Sequence, residues 1–232
     1  RYLWPQGCGS SSLLLGTISP RAPFRAPETM SVFTLHQGDL PHGLDLGPSI
    51  ACDTETMGLD PRRDRLCLVQ LGKGDGHAHL VQILPGHDCP NLKAQLGDPA
   101  RDKIFHFARF DVAVLDHFLG IRAAPLFCTK IASKMVRTFT DRHGLKDLCK
   151  DLLGVDLSKQ QQSSDWGAET LTPEQCTYAA SDVLHLHALK TGLVPLLARE
   201  GRTGLAQACF DFLPARAKLD LLGWEEPDIF AH

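Results

Sequence analysis

The stretch Ser49-Ile50-Ala51-Cys52 is small and apolar and runs directly into Asp53-Thr54-Glu55. A short apolar run of this kind reads as a buried strand. Side chains alternate along a strand, so these two carboxylates, two residues apart, share one face near its end. A strand buried on both faces needs a layer on each side, which confines the chain to sheets flanked by helices. In open α/β sheets ligands gather beyond the carboxyl ends of strands, where this acidic pair falls.

The rest of the chain from Met30 agrees with that frame. Apolar patterning predicts strands over 48–56, 64–71, 77–84, 103–107 and 125–129. Helices are predicted near 90–97 and over 109–119, 130–138, 143–153, 173–199 and 202–212. Three consecutive strands followed by alternating helices and strands predict an α/β fold: a mixed five-stranded sheet flanked by helices, in a single domain. At 232 residues the chain is long enough to bury one sizeable core.

Two further motifs carry acids into this frame. Asp111 follows the apolar strand 103–107 and falls in the first turn of the next helix, where the helix dipole favours an ionised carboxylate. Tyr178 and Asp182 are four apart on a helix and therefore share a face. Thr172-Pro173-Glu174-Gln175 marks that helix's start, with Thr172 as cap and Gln175 three residues on. Each motif alone has a bland reading. Asp-x-Glu commonly ends a solvated strand, Asp111 alone is a helix-start residue, and Tyr-x-x-x-Asp is commonly a packing tyrosine beside an exposed acid. The order and context of all three together point to chemistry. Four carboxylates and a phenol suit a pair of hard divalent ions, Mg2+ or Mn2+, which take oxygen ligands and can clamp a phosphodiester under attack by water.

Composition limits the alternatives. No run approaches the roughly 18 apolar residues of a membrane span. The eight cysteines show no Cys-x-x-Cys pairing and read as reduced core thiols of a cytoplasmic protein, which also disfavours zinc. His185 and His187 lie on differing faces of the 173–199 helix and read as structural. Residues 1–29 hold three arginines against Glu28, so the chain's formal charge of −3 becomes about −5 from Met30 onward. These 29 residues read as a non-native or disordered extension, with residues 30–232 as the functional domain. Long nucleic acid usually meets a basic stripe. Here only residues 130–150 are basic, with Lys130, Lys134, Arg137, Arg142, Lys146 and Lys150 against Asp141 and Asp147. That pattern fits a local phosphate grip or a solvated face.

The set Asp53, Glu55, Asp111, Tyr178 and Asp182 resembles the DEDDy 3'-5' exonucleases of the ribonuclease-H-like superfamily, in their RNase D-type branch. Within it, the segments KIFHFARFD, FCTKIAS, TDRHGLK, LSKQQQSSDWG and YAASDVLHLH are similar to the nanoRNase C group, small bacterial enzymes that cleave dinucleotides. The likeness covers about residues 30 to 232. It implies a ribonuclease-H-like sheet, two divalent ions (Mg2+ or Mn2+) on the four carboxylates, and release of nucleoside 5'-monophosphates from short RNA, with DNA left open. It also implies a homo-oligomer, a ring-like octamer built from dimers. By the same resemblance Leu59 wedges between terminal bases. Lys159, Gln162 and Ser163 are then candidates for holding a terminal phosphate, with Arg142 and His143 as weaker ones. The chain departs from the wider branch at Phe107, where many relatives carry Asn; an aromatic there can stack on a base or pack at the strand end. About twenty residues follow the helix predicted to end near Leu213, too few for the extra helical domain of many RNase D relatives. The alternatives carried forward are an RNase D-like enzyme trimming longer structured RNA or DNA, and an inactive nucleic-acid-binding scaffold.

Overall fold

The computed structural model describes residues 32–231 apart from 159, 160 and 162. Residues 1–29, read above as an extension, lie outside the described residues. Six strands form one sheet in the order β1-β4-β3-β2-β5-β6. They are β1 (Val32–Gln37), β2 (Ser49–Thr56), β3 (Leu66–Gly72), β4 (His77–Gln82), β5 (Asp102–Phe105) and β6 (Leu126–Cys128). β3 pairs antiparallel with β2 and β4, and the remaining pairs are parallel. The sheet is mixed, as expected, but has six strands rather than five. The extra strand is β1, whose only partner is β4, some forty-five residues later. Its sequence alternates, with Phe33 and Leu35 on one face and Thr34 and His36 on the other. That short, half-polar edge pattern lacks the apolar run that marked the inner strands.

The centre of the sheet is the core. All seven residues of β3 are buried, and Ile50, Ala51 and Cys52 of β2 are 0% exposed. Seven helices complete the fold: α1 (Pro90–Gly97), α2 (Ala108–Leu119), α3 (Thr129–Val136), α4 (Leu145–Leu148), α5 (Pro173–Leu184), α6 (Leu186–Arg199) and α7 (Thr203–Leu221). α5 packs across β1 to β4, and α2 packs on α7. α4 runs on as a π-helical turn, Cys149–Leu153, a form often found beside functional sites. The expected capping box opens α5: Gln175 N–H donates to Thr172 Oγ1 (3.2 Å) and Thr172 N–H to Gln175 Oε1 (2.9 Å).

Two helix boundaries differ from expectation. The single helix over 173–199 is two, breaking at His185, with neither Gly nor Pro at the break. Beyond the break His187 Nε2 reaches Ser49 O (3.0 Å), tying α6 to the start of β2. α7 continues past Pro214 to Leu221, some eight residues beyond the expected end. A proline inside a helix removes one hydrogen bond. Here Arg109 grips Asp220 through two bonds (2.6 and 2.8 Å), and Arg216 bonds the same carboxylate (2.6 Å), which holds the helix after the proline. The seven described cysteines are free thiols, six of them buried, and no described helix is long and apolar enough to cross a membrane.

One buried charge braces the sheet near the start of β5. Lys103 of β5 is 0% exposed, and its Nζ donates to Asp98 O (2.8 Å), Arg101 O (2.6 Å) and Ala124 O (2.7 Å). Replacing it with methionine keeps the stem but leaves three inward-facing carbonyls without that donor. We expect Lys103→Met to cost about 3 kcal/mol, read as a lowered urea midpoint at unchanged slope. A midpoint equal to the parent's would show that water replaces the ammonium.

Candidate active site

The acidic pair sits where β2 leaves regular pairing: the register with β3 shifts between Glu55 and Thr56. β2 therefore ends at the two carboxylates. α5 lies over this end of the sheet and brings Asp182, so that one ligand oxygen each from Asp53, Glu55 and Asp182 all lie within 4.8 Å of one another. Asp111 is held differently. It occupies the first turn of α2, is 4% exposed, and accepts a hydrogen bond from Thr54 Oγ1 at 2.6 Å. Thr54 lies between Asp53 and Glu55 in sequence and alternates to the opposite face. One short strand segment thus presents two acids and positions a third.

Burial dominates the electrostatics, and charge crowding adds to it. Burial first, then Asp111, Asp182 and Glu55, push the Asp53 carboxyl well above the usual carboxylate range. Burial, with Asp182 and Asp111, lifts Glu55 to about 9. Burial lifts Asp111 to about 7 against the pull of Thr54's hydrogen bond. It lifts Asp182 to about 7, opposed by a hydrogen bond from Tyr178 and reinforced by Asp111. Tyr178 is itself raised, by burial and then by Asp182, Glu55 and Asp53. It is therefore a phenol O–H donor at neutral pH. Four oxygen acids held together against mutual repulsion, with no lysine or arginine ion-paired to them among the described residues, are a donor set suited to hard divalent cations. The residues present fit Mg2+ or Mn2+.

Three of the four acids, Asp53, Glu55 and Asp182, line a cavity of about 320 Å³ whose remaining wall is basic and aromatic. Lys130, Lys146, His106, Phe107 and Ser158 line it with Asp53, Glu55, Tyr178 and Asp182. His106 went unremarked in the sequence. Its Nδ1 lies 2.9 Å from Thr129 Oγ1, and burial holds the imidazole at about 4, hence neutral. The signal available was its place at the end of the predicted strand 103–107, shortly before Asp111. Phe107 is the only non-glycine with positive φ (69°) among the described residues. It is 49% exposed, with Lys130 Nζ 4.0 Å from its ring centroid. A second, apolar cavity of about 290 Å³ lies on this wall and shares Phe107 and Lys130 with the first.

The other sequence candidates divide. Leu59 is 89% exposed, an apolar side chain standing almost wholly in water. Ser163 is exposed, whereas Lys159 and Gln162 lie outside the described residues. His143 is buried and bonded to Ser133 Oγ (2.9 Å). It does not line the cavity, although Gly144 beside it does. The basic segment is less free than its composition suggested. Arg137 is buried against Asp151, Arg142 pairs with Asp147 (3.1 Å), and Lys150 pairs with Asp156 (3.5 Å). Of its six cations, Lys130 and Lys146 line the cavity.

A family model described as 3'-5' exonuclease matches residues 39–198. The chain belongs to this 3'-5' exonuclease family. It is 37% identical over 155 residues to ribonuclease D of Gluconacetobacter diazotrophicus, which covers 67% of this chain and 39% of that protein. The chain thus spans well under half the length of that curated relative. Two solved structures of Brucella melitensis NrnC, one with bound Mg2+ and one bound to pGG, are similar over nearly their whole length. They are 55% and 56% identical, with TM-scores of 0.83 and 0.84, covering 87% of this chain and 99% and 98% of theirs.

The raised carboxyl values fix a pH dependence. Between pH 7 and 9 the folded, metal-free site still holds protons that the unfolded chain has already lost. Stability must therefore fall as pH rises through the values of about 7 and about 9 given above. In chelator, the thermal midpoint should drop from pH 7 to pH 9, and Asp182→Asn should raise it at pH 8 by roughly 3 °C. Mg2+ should remove both effects. A metal-free midpoint flat across this range would contradict the crowding.

Proposed function

We propose that this chain is a metal-dependent 3'-5' exoribonuclease that hydrolyses short oligoribonucleotides, dinucleotides above all, to nucleoside 5'-monophosphates. The observation that carries this is the convergence of Asp53, Glu55 and Asp182 within 4.8 Å, in a cavity whose other wall holds Lys130 and Lys146. Asp53, Glu55 and Asp182 would hold one ion, and Asp53 with Asp111 a second. When bound, such ions clamp the attacking and leaving oxygens and lower the pKa of the attacking water. Tyr178, kept as a phenol, orients the attacking water by a hydrogen bond and is not its base. Lys130 and Lys146 supply the positive wall for the substrate's phosphates. Phe107 offers an exposed ring for a base, and exposed Leu59 a wedge between two bases. The polar segment around Ser163, with Lys159 and Gln162, is proposed to meet a terminal phosphate, with Arg142 in a lesser part.

Several features support a short substrate. The chain is acidic overall, and much of its one basic segment is neutralised internally. The Brucella melitensis NrnC structure holds pGG, a short ligand. The relative named ribonuclease D, and the E. coli RNase D described as processing structured RNA, favour a second reading: trimming of longer RNA, or of DNA. An inactive scaffold fits less well, because all four carboxylates and the tyrosine are present. We further propose a cytoplasmic homo-oligomer, an octamer. The free thiols support the compartment, and exposed Phe212, Leu222, Trp224 and Phe230 support burial against other copies.

Digestion of 5'-labelled RNAs of two to ten nucleotides, sampled over time with Mg2+ or Mn2+, tests the substrate. Selective loss of dimers is expected; equal trimming at every length favours the second reading. Asp53→Asn and Asp182→Ala should each abolish hydrolysis with the fold retained by circular dichroism, and full activity in either would sink the assignment. Tyr178→Phe should lower turnover while metal still binds. Light scattering should give a mass well above the 25.4 kDa of one chain.

A further inference from the structure

Three histidines gather on the outer part of the sheet, apart from the acidic cluster. His36 lies on edge strand β1, and His77 and His79 lie on its neighbour β4. β3 separates β4 from the acid-bearing β2. The parallel register pairs Val32 with His77, Thr34 with His79 and His36 with Val81, so all three imidazoles project from one face. They are half-buried and touch one another. His36 Nε2 lies 3.1 Å from His79 Nδ1, and their rings stack with centroids 5.4 Å apart. The His77 ring centroid is 4.8 Å from that of His79, and His77 Nε2 rests on the Thr34 hydroxyl at 3.0 Å.

We propose that His36, His77 and His79 form a second cation site, one that takes a borderline transition-metal ion such as Zn2+ or Ni2+. The His36–His79 spacing carries this, and His77 must turn to join them, since the three rings do not yet bring one nitrogen each within 4.8 Å of the others. Two nitrogens bound to one tetrahedral zinc at its usual bond length stand roughly 3.3 Å apart, close to the His36–His79 separation. At present those two nitrogens share a single proton. Neutral imidazole keeps one N–H, and it can carry it on the outward nitrogen instead. The metal then takes the two facing lone pairs with no net loss of protons. His77 supplies the third nitrogen by leaving its solvent-exposed bond to Thr34, and water completes the set.

The surroundings suit this ligand class. Burial, and the neighbouring imidazoles, hold His79 at about 4 and lower His36, so both are neutral donors at pH 7. Lys73 and Asp75 lie nearby with opposed effects on His79. Asp75 accepts from His77 N–H (3.1 Å) and pairs with Lys73 (3.3 Å), so the turn before β4 is anchored. The ligand types separate the two sites. All-oxygen carboxylates select hard Mg2+ or Mn2+, whereas imidazoles select zinc, nickel or copper. An ion on these three side chains would link edge strand β1 to β4 beyond their backbone pairing, as a clip on the sheet's exposed margin.

The test uses the full chain, stripped by chelator, with excess Mg2+ to fill the carboxylate site, and Ni2+ alone as titrant in calorimetry. One Ni2+ per chain is expected, and Ni2+ should raise the thermal midpoint further above that with Mg2+ alone. His36→Ala and His79→Ala should each weaken Ni2+ binding about tenfold or more, and their combination should remove the added midpoint shift. His42→Ala, an exposed histidine outside the cluster, should change neither. His36→Gln, which keeps a polar partner for His79, guards against misfolding of the alanine variant and should still weaken binding. Absence of a Ni2+ site in the parent, unchanged affinity in the double variant, or loss of Ni2+ binding in Asp182→Ala instead would each overturn the proposal.

Discussion

Four carboxyl groups buried beside one another are the constraint around which the rest of this molecule is arranged. In water such groups would separate. Here Asp53 and Glu55 are fixed by the alternation of β2, Asp111 by the first turn of α2 and the Thr54 hydroxyl, and Asp182 by α5 lying over the sheet. None of these acids can relax far without disrupting a strand or helix buried on its other side. The elevated carboxyl values record that confinement, and a bound cation is what relieves it.

The strength of the frame comes from its centre. β3 is buried along its whole length between antiparallel neighbours, and β2 is fully buried from Ile50 to Cys52. The apolar sheet supplies rigidity, and the polar run of β2 begins at Asp53, just before β2–β3 pairing slips between Glu55 and Thr56. The opposite wall of the cavity is built quite differently. It comes from the start of α2, the start of α3 and the α4 turn, segments whose polar side chains are knitted to one another by Thr129, Ser133 and Asp151. An acidic part on the end of β2 and on α5 and a basic part on helix starts meet in one cavity.

What the sequence revealed followed the physics of each signal. The inner strands were legible because double burial leaves continuous apolar runs, and the start of α5 because Thr172 and Gln175 cap each other. The acidic pair announced its shared face through spacing alone. β1 was hidden because a half-exposed edge strand lacks an apolar run and its partner is remote in sequence. The true end of α7 was hidden because the Arg109–Asp220–Arg216 contacts that carry the helix past Pro214 to Leu221 are tertiary. The charge of segment 130–150 left two readings open: composition counts cations, but only folding discloses that Arg137 is spent on Asp151 and that Lys130 lines the cavity. His106 was unreadable for a related reason, since a histidine after a strand says nothing about which wall it joins.

Phe107 carries a consequence for how this chain can change. A bulky residue in the left-handed region is held at a cost of roughly 1–2 kcal/mol, which glycine would avoid. The backbone there needs its unusual turn to start α2 with Asp111 in the first coil, so the conformation itself is not negotiable. Only the side chain is. Substitutions that ease the strain remove the ring from the rim of two cavities, and those that keep a ring keep the strain. A relaxed backbone and an aromatic cavity rim are therefore opposed at this one position.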